Sequence, residues 1–381
     1  MIIKLLKIKA LIYYSKLFLA RTKEFFSKSQ IKANVILLQL CKNKILLGPY
    51  FSSLGGVSHH MQSIRKFSNL NVSLLPSQSA QNFIYRHNLL NYYKVQVENL
   101  TFKKNIIHSH VDPWFIHLSQ KAQLNSSKWI HTYHTLYFEN DWKNGLENWQ
   151  RDINKSLIEV AKYADVRISI SHWLKNYLEL NYNIKTTYIP NGVDVAKCDL
   201  ADKNGFINKY SLKDFILFAS GISDIKNPGD FLKLANAMPH KQFVIIGRGI
   251  SKQALVKKYK MPLGDNLTVL GKMQHLDLLD AIAACKVFVV TSKSEGLPTV
   301  LMEAMTLERS VVGVDTYGTK EVIHSEEYGY IYKQDDLEDL ISKTKQALEQ
   351  SKGLKARQRV IENYDWKVIA PQIDKVYKSL L

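Results

Sequence analysis

The chain has 381 residues, of which 46% are hydrophobic and 23% charged, a composition and length that predict two globular domains rather than one. Its net charge of +18 favours an anionic partner, but no zinc-finger or RNA-binding signature accompanies the charge, so we expect no nucleic-acid partner. The cysteines Cys41, Cys198 and Cys285 lie far apart without metal-ligand spacing, which predicts a reduced, cytoplasmic setting.

Residues 1–43 form a basic N-terminal extension. They hold nine lysines and arginines against one acidic residue, Glu24, which gives a net charge of +8. The apolar run 10–20 contains Lys16 and is too short to cross a bilayer, which needs ~20 apolar residues. Two interpretations stay open: a helix on the inner, anionic face of a membrane, or a helix docked on the protein itself.

From residue 44 onward, short apolar runs alternate with longer helical stretches, as βαβ units require. The first half has predicted strands at 44–47, 71–75, 105–108, 128–131, 165–170 and 187–190, and the second half at 215–219, 242–246, 267–270, 287–290 and 311–314. Between the two series the chain is polar, and we place a domain boundary near residue 205. The pattern predicts two Rossmann-like, doubly wound α/β domains, 44–205 and 206–365, with the ligand in the cleft at the strands' carboxyl ends.

The most informative stretch is Ser294-Glu-Gly-Leu-Pro-Thr-Val-Leu-Met-Glu-Ala-Met305, which follows a predicted strand and opens a helix. Two carboxylates, Glu295 and Glu303, stand eight residues apart across this loop and can serve different parts of one ligand. Backbone amides at the helix N-terminus favour an anion such as phosphate. The alternative is an ordinary capped helix with exposed acids.

This stretch resembles the donor-site motif of retaining glycosyltransferase family 4 (glycosyl transferases group 1), in which two glutamates flank seven residues. Further pieces of the family pattern follow in order: Gly55-Gly56-Val57, His134, Ser171, Pro190-Asn-Gly-Val-Asp194, Lys226-Asn-Pro228, Gly247-Arg-Gly249, Gly318-Thr-Lys-Glu-Val322 and Tyr364-Asp-Trp366. The resemblance covers about residues 44–381. It implies a GT-B fold, two Rossmann-like domains facing across a cleft, with a C-terminal helix over 366–381 that returns to the first domain.

The resemblance also implies roles for individual residues. Glu303 is expected to bind the ribose hydroxyls, Glu295 the transferred sugar, and Lys226 the departing diphosphate. Gly55 and Gly56 are expected to approach the diphosphate from the first domain. His134 is expected to contact the sugar near the reaction centre. Further donor contacts are expected from Gly247, Arg248, Lys272, Leu297, Pro298, Thr299 and Val300.

Each of these residues has an alternative interpretation. The glycine pair is also typical of a tight turn, and its spacing is not the G-x-G-x-x-G of a dinucleotide site. His131 and His134 are also typical of core or capping positions. His108 and His110 are either structural or part of an acceptor surface, with no metal role. Lys226 alone would be a solvated helix lysine, and Asp112 before Pro113 is expected to be a turn or cap residue.

The sequence departs from the family pattern at two places. Relatives carry an arginine a few residues before the lysine, whereas this chain has Gly221, so Arg248 or Lys320 would have to supply the second cation. The segment 306–310 lacks the glycine that relatives have before the next strand. Both departures keep open a protein that binds sugar nucleotide poorly or not at all.

The resemblance implies transfer of a hexosyl unit from a nucleotide-sugar donor to a hydroxyl of a glycan or lipid-linked acceptor, with retention of anomeric configuration. Neither a cofactor nor a divalent metal is expected, because no carboxylate motif is placed to hold a metal against a diphosphate. Two alternatives remain: a sugar-nucleotide epimerase on the same architecture, and a non-catalytic partner subunit that keeps the fold.

Overall fold

The computed structural model describes residues 44–51, 55–77, 81, 84–85, 90–98, 102 and 104–381. The basic extension 1–43 lies outside the described residues. In the described part of the chain, no helix is long and apolar enough to cross a membrane.

The first domain is built on a parallel sheet of six strands within the described residues, in the order β2-β1-β3-β4-β5-β6. The strands are β1 (Ile45–Gly48), β2 (Val72–Leu74), β3 (Ile106–Ser109), β4 (Lys128–Tyr133), β5 (Val166–Ser169) and β6 (Thr187–Tyr188). Its α-helices are α1 (Gly56–Phe67), α2 (Leu90–Glu98), α3 (Pro113–Leu124), α4 (Asn148–Lys155) and α5 (His172–Tyr182). A 3₁₀ turn at Glu139–Asp141 precedes α4, and a π turn (Ser156–Val160) and a 3₁₀ turn (Ala161–Tyr163) follow it.

The second domain repeats this design, with the strand order β12-β11-β10-β7-β8-β9 among the residues described. Its strands are β7 (Ile216–Ala219), β8 (Phe243–Ile246), β9 (Leu267–Gly271), β10 (Val287–Val290), β11 (Ser310–Val314) and β12 (Tyr330–Tyr332). Its helices are α8 (Pro228–Ala237), α9 (Lys252–Tyr259), α10 (His275–Ala284), α11 (Thr299–Thr306), α12 (Tyr317–Ile323), α13 (Leu337–Glu349) and α14 (Gly353–Tyr364). Near-continuous apolar runs form the central strands because helices cover both faces of a parallel sheet.

All eleven predicted strands are present, with ends shifted by a few residues. The strand β12 was not predicted, because it is three residues long and two of them are tyrosines, Tyr330 and Tyr332, that are nevertheless buried. Asp112 is the N-cap of α3 as expected: its side chain accepts a hydrogen bond from Phe115 N at 3.1 Å. The segment 306–310 turns through Glu308 at φ 59°, a conformation that favours the glycine it lacks.

Two short helices, α6 (Val195–Cys198) and α7 (Lys203–Tyr210), connect the domains, and both pack on the core of the second sheet. The proposed boundary near residue 205 falls inside α7, so the division at that point stays a prediction. The last helix, α15 (Trp366–Lys378), packs on the first sheet: Ile369 and Ile373 lie in the cluster that contains the β1 and β3 side chains. The chain therefore ends on the domain with which the described part begins.

A polar contact joins the domains at the start of α5. The carboxylate of Glu321, on α12, accepts hydrogen bonds from the backbone N–H groups of His172 at 2.8 Å and Trp173 at 3.3 Å. The Trp173 indole donates to the Gly296 carbonyl at 3.0 Å. A carboxylate at a helix N-terminus meets free N–H groups and the positive end of the helix dipole, so this contact fixes how the two sheets face each other.

Candidate functional site

Lys226 and Glu295 meet where the strand order of the second sheet reverses, between β7 and β10. Lys226 follows β7 and Glu295 follows β10, and Lys226 Nζ lies 2.5 Å from Glu295 Oε1. The hydroxyl of Thr291 lies 3.1 and 2.7 Å from the carbonyl oxygens of Lys226 and Asn227, which holds the lysine loop in place. Ligands of doubly wound domains bind at such switch points, so a positioned cation stands at the expected place.

Glu303, on α11, ends a chain of hydrogen bonds that sequence analysis did not find. Lys197 Nζ lies 2.7 Å from His275 Nδ1, and His275 Nε2 lies 2.7 Å from Glu303 Oε1. A charged lysine only donates, so Nδ1 accepts and Nε2 carries the proton that goes to Glu303. This series of hydrogen bonds fixes the tautomer of the His275 imidazole and holds the Glu303 carboxylate in one orientation.

The two glutamates face adjoining spaces in the cleft. A main cavity of about 510 Å³ is lined by Lys226 and Glu295, and a second cavity of about 320 Å³ by Glu303 and His275. Gly56 and Thr299 line both cavities, so the two spaces adjoin. Glu295 and Glu303 therefore lie in neighbouring parts of one cleft. The predicted donor residues Leu297, Pro298, Thr299 and Val300 all line the main cavity.

The first domain presents the N-terminus of α1 to the same space. Gly55 has φ 56° and is the N-cap of the helix, and Gly56 lines both cavities. A Cβ placed on either glycine would meet nothing within 4 Å. The glycines are therefore not needed to accommodate another part of the protein, and they leave open space before a helix end that favours anions.

A group of buried histidines lies beneath this opening: His60, His108, His110, His131 and His134. His108 is structural, because its Nδ1 and Nε2 lie 2.8 Å from Tyr377 Oη and 2.7 Å from Thr132 Oγ1. His131 Nδ1 lies 2.8 Å from Ser109 Oγ. His134 lines the main cavity, and its Nε2 lies 2.9 Å from His110 Nδ1.

Burial keeps these imidazoles neutral. It lowers the pKa of His60 to about 4 and that of His131 to about 3. Burial, helped by the neighbouring histidines, holds the pKa values of His108, His110 and His134 well below the usual range. At neutral pH His134 can therefore donate one hydrogen bond and accept one, but it carries no charge to offer a diphosphate.

Three of these histidines could supply a metal with ligands. One ring nitrogen from each of His60, His110 and His134 lies within 4.8 Å of the others, and imidazole suits zinc. However, two nitrogens 2.9 Å apart share a proton in a hydrogen bond, whereas zinc needs both lone pairs. The donor set therefore fits a metal only after the bond between His110 and His134 is broken, and the expectation of no metal stays a prediction.

Some predicted donor residues lie outside both cavity linings as the described residues define them. Gly247 and Arg248 follow β8 and Lys272 follows β9, at one end of the second sheet. Gly247 is required for packing, since a Cβ there would lie 1.6 Å from the Ser220 carbonyl oxygen. Arg248 is exposed, and Lys320 Nζ pairs with Asp315 at 2.8 Å. The Arg248 carbonyl accepts a hydrogen bond from Ile222 N at 3.1 Å, so its backbone lies beside the segment that leads to Lys226. Lys320 would have to leave Asp315 to replace the family's arginine.

Several residues that line the cavities were not predicted from the sequence: His60, Tyr137, Trp142, Trp149, Lys197 and His275. His60 could have been predicted from the sequence, because it lies one turn into the helix that Gly55-Gly56 opens. The aromatic residues follow the predicted strand that ends near His131, where ligand contacts are expected in such folds. Lys197 and His275 are far apart in sequence and come into contact only in the folded protein, so no local sequence pattern predicts their contact.

Comparisons with known proteins agree with this geometry. The sequence model described as "Glycosyl transferases group 1" matches residues 202–365, and that described as "Glycosyltransferase Family 4" matches residues 71–197. A Campylobacter jejuni protein is 32% identical over 145 residues, and its name describes an α-1,4-N-acetyl-D-galactosaminyltransferase for a glycan on undecaprenol diphosphate. An Escherichia coli diphosphoundecaprenol α-1,3-galactosyltransferase is 29% identical over 177 residues.

These two alignments cover 36% and 42% of this chain, and 40% and 44% of the C. jejuni and E. coli proteins. The chain thus spans less than half the length of either. Among solved structures, Anabaena HepE with UDP and glucose superposes with a TM-score of 0.72 at 16% identity, covering 88% of this chain and 100% of that chain. A glycosyltransferase from Rickettsia africae gives 0.63 at 16% identity, with 88% and 97% covered. These likenesses identify the fold.

Proposed function

Because the chain belongs to glycosyltransferase family 4 (glycosyl transferases group 1), we propose that it transfers a hexosyl unit from a nucleotide sugar. The anomeric configuration of that unit is retained in the proposed reaction. The acceptor is a hydroxyl of a glycan or of a lipid-linked molecule. The observation that carries the proposal is the alignment of two carboxylates along one cleft, Glu295 beside Lys226 and Glu303 beside His275. Names of relatives that transfer to undecaprenol-linked sugars support the acceptor class.

In the proposed reaction the donor lies along both cavities. Its ribose hydroxyls donate to Glu303, which His275 holds in position, and its sugar hydroxyls donate to Glu295. The diphosphate takes the place of Glu295 beside Lys226 and faces the N-termini of α1 and α11. These fixed positive groups stabilise the charge that grows on the leaving diphosphate.

The chemical step is a front-face substitution. The acceptor oxygen bonds to the anomeric carbon on the face from which the diphosphate departs, the bond from that carbon to the diphosphate oxygen breaks, and the acceptor proton passes to the diphosphate oxygen. Configuration is retained without a covalent enzyme intermediate. No metal is needed in this scheme, because Lys226 and the helix ends supply the positive charge.

One observation favours a second candidate, a non-catalytic partner subunit. Gly221 stands where the family has an arginine, and Lys320 is paired with Asp315 at 2.8 Å. A sugar-nucleotide epimerase, which would exchange epimers without an acceptor, has no such observation in its favour. Failure to bind any nucleotide sugar would identify the subunit.

The test is a thermal-shift panel of nucleotide sugars with different bases and sugars, followed by product analysis with the donor that binds. A ligand at a hundred times its dissociation constant adds roughly 2.7 kcal/mol to stability, which is readily seen. We expect one donor to raise the melting temperature and the Glu303→Gln variant to lose that shift. No shift from any donor would contradict the proposal.

We also propose that the protein is cytoplasmic and peripheral on an anionic membrane, through the extension 1–43. Each basic residue near an anionic leaflet contributes about 1 kcal/mol of attraction. Binding of the full chain to anionic vesicles should weaken with salt and be largely lost when residues 1–42 are removed. Equal sedimentation of both proteins would assign the extension a structural role instead.

A further inference from the structure

Three aromatic side chains line the main cavity together with Lys226 and Glu295. We call Tyr137, Trp142 and Trp149 the aromatic shelf. The rings of Tyr137 and Trp149 lie 5.4 Å apart between centroids at 76°, and those of Tyr137 and Trp142 lie 6.5 Å apart at 53°. Trp149 is 47% exposed although it belongs to a folded segment. Large aromatic faces left open beside a reactive centre indicate a ligand surface.

The shelf is held by its own polar contacts. Asn154 accepts from Tyr137 N at 3.0 Å and donates to Tyr137 O at 2.7 Å. The Trp149 indole donates to Glu147 Oε2 at 2.7 Å. Glu139 accepts from Leu146 N at 2.7 Å. These contacts position the backbone of Tyr137 and the ring of Trp149 before any ligand arrives, which lowers the entropy that binding costs.

Two buried polar atoms at the shelf lack hydrogen-bond partners within the described residues: the Trp142 indole Nε1 and the Asp141 Oδ2. Burial raises the pKa of Asp141, against the opposing effects of Ser294 and Lys293 from the second domain, so this carboxyl lies beside the Glu295 loop. A buried donor and a buried acceptor without partners are each costly. Trp142 lines the main cavity, so a hydroxylated ring there can accept from its indole N–H, whereas an alkyl chain cannot.

We propose that the aromatic shelf is the acceptor subsite and that it binds a pyranose ring. The proposal rests on the proposed function and narrows it: the attacking hydroxyl belongs to a sugar, so the acceptor is a glycan or a lipid already carrying one. The ring lies on Trp149 and Tyr137, while one of its hydroxyls accepts from Trp142 Nε1. The face of the ring turned to the second domain then presents a hydroxyl to the donor sugar beside Glu295.

The test uses saturation-transfer NMR on the full chain with methyl α-glycosides of glucose, galactose, mannose, N-acetylglucosamine and N-acetylgalactosamine. Decyl phosphate serves as the apolar probe. We expect ring-proton signals from at least one glycoside, and we expect Trp149→Ala to weaken its binding about five- to tenfold, with partial recovery in Trp149→Phe. The matched control is Tyr163→Ala, another exposed aromatic of the first domain, outside the lining of the main cavity.

Nucleoside diphosphate affinity, measured on the same variants, separates this proposal from the proposed function. We expect Trp149→Ala to bind the diphosphate as the parent does. A parent that binds no glycoside, a Trp149→Ala variant that binds glycoside normally, or decyl phosphate bound at the shelf instead would overturn the subsite. A diphosphate affinity that falls with Trp149→Ala would assign the shelf to the donor and overturn it as well. If the parent bound a glycoside at the shelf but no nucleoside diphosphate, the proposed transfer function would be refuted, while the pyranose site itself would stand.

Discussion

Gly296 of the second domain lies directly against the carbonyl oxygen of His134 in the first: a Cβ placed on Gly296 would lie 2.0 Å from that oxygen. This contact is next to Glu295 in sequence and joins the two walls of the main cavity. The close approach of the domains at the reactive centre therefore depends on one residue without a side chain.

Gly296→Ala should force the two walls apart. Overpacking of this kind costs about 1–3 kcal/mol, and a displacement of ~1 Å can lower a rate about 100-fold. Unfolding in urea and the transfer rate measure the two effects. Gly221→Ala is the control for stability, since its Cβ would meet the Arg248 carbonyl at an ordinary 3.6 Å. An alanine variant at 296 with parental activity would show that the contact is not needed.

Lys226→Ala should reduce turnover by a large factor with a smaller effect on donor affinity. Charge on the leaving diphosphate grows in the transition state, so a cation beside it contributes most to the rate. Steady-state kinetics with the identified donor checks this. Lys320→Ala should have little effect, because its ammonium group pairs with Asp315 at 2.8 Å. Near-full activity of Lys226→Ala would refute its role as the leaving-group cation.

Substitution of Glu303 and substitution of Glu295 should affect nucleotide binding differently. Glu303→Gln should weaken binding of the bare nucleoside diphosphate, because a hydrogen bond to a charged group is worth about 1.5–3 kcal/mol. Glu295→Gln should lower turnover more than this affinity, since it serves the sugar. Calorimetric titration with the diphosphate decides between them. If both variants bind it as the parent does, the ribose assignment of Glu303 is wrong.

The buried histidines should make the protein less stable as the pH falls below about 6.5. Their folded-state pKa values are lowered, to about 4 for His60 and about 3 for His131, so the unfolded chain binds more protons between these values and 6.5. The contribution of these histidines to the free energy of unfolding is then fully present above pH 6.5. Below that pH it falls by up to about 1.4 kcal/mol per pH unit for each histidine.

Urea unfolding at pH 7.5, 6.5 and 5.5 measures this dependence. His131→Asn removes one buried titrating group and should make the decline shallower by about one proton, whereas the exposed His240→Asn should leave it unchanged. A parental protein that gains stability between pH 7.5 and 5.5 would contradict the neutral, buried state of these rings.

Removal of any bound metal ion should leave the rate of sugar transfer unchanged. The hydrogen bond between His110 and His134 already uses a lone pair that zinc would need. Dialysis against a chelator, followed by metal analysis and a rate measurement, checks this. Lost activity that returns with one equivalent of zinc would instead identify His60, His110 and His134 as a metal site.

The sequence by itself determined the two parallel sheets, because an apolar run of five residues between helical stretches has few alternatives to a buried strand. It also determined the motif that carries Glu295 in a loop and Glu303 on the helix that follows, since spacing and order within a motif are local properties. The short strand Tyr330–Tyr332 was missed because its residues become buried only when β11 lies beside them.

Only the tertiary structure decided which of these residues meet. Lys197, His275 and Glu303 come from three separate elements, so their hydrogen-bonded chain depends on how α6 and α10 pack beside α11. The same holds for Gly296 against His134: a sequence records that a glycine is present, but the atom that excludes a side chain there belongs to the other domain. Contacts between distant segments follow from packing, whereas elements follow from local patterns of apolar and polar residues.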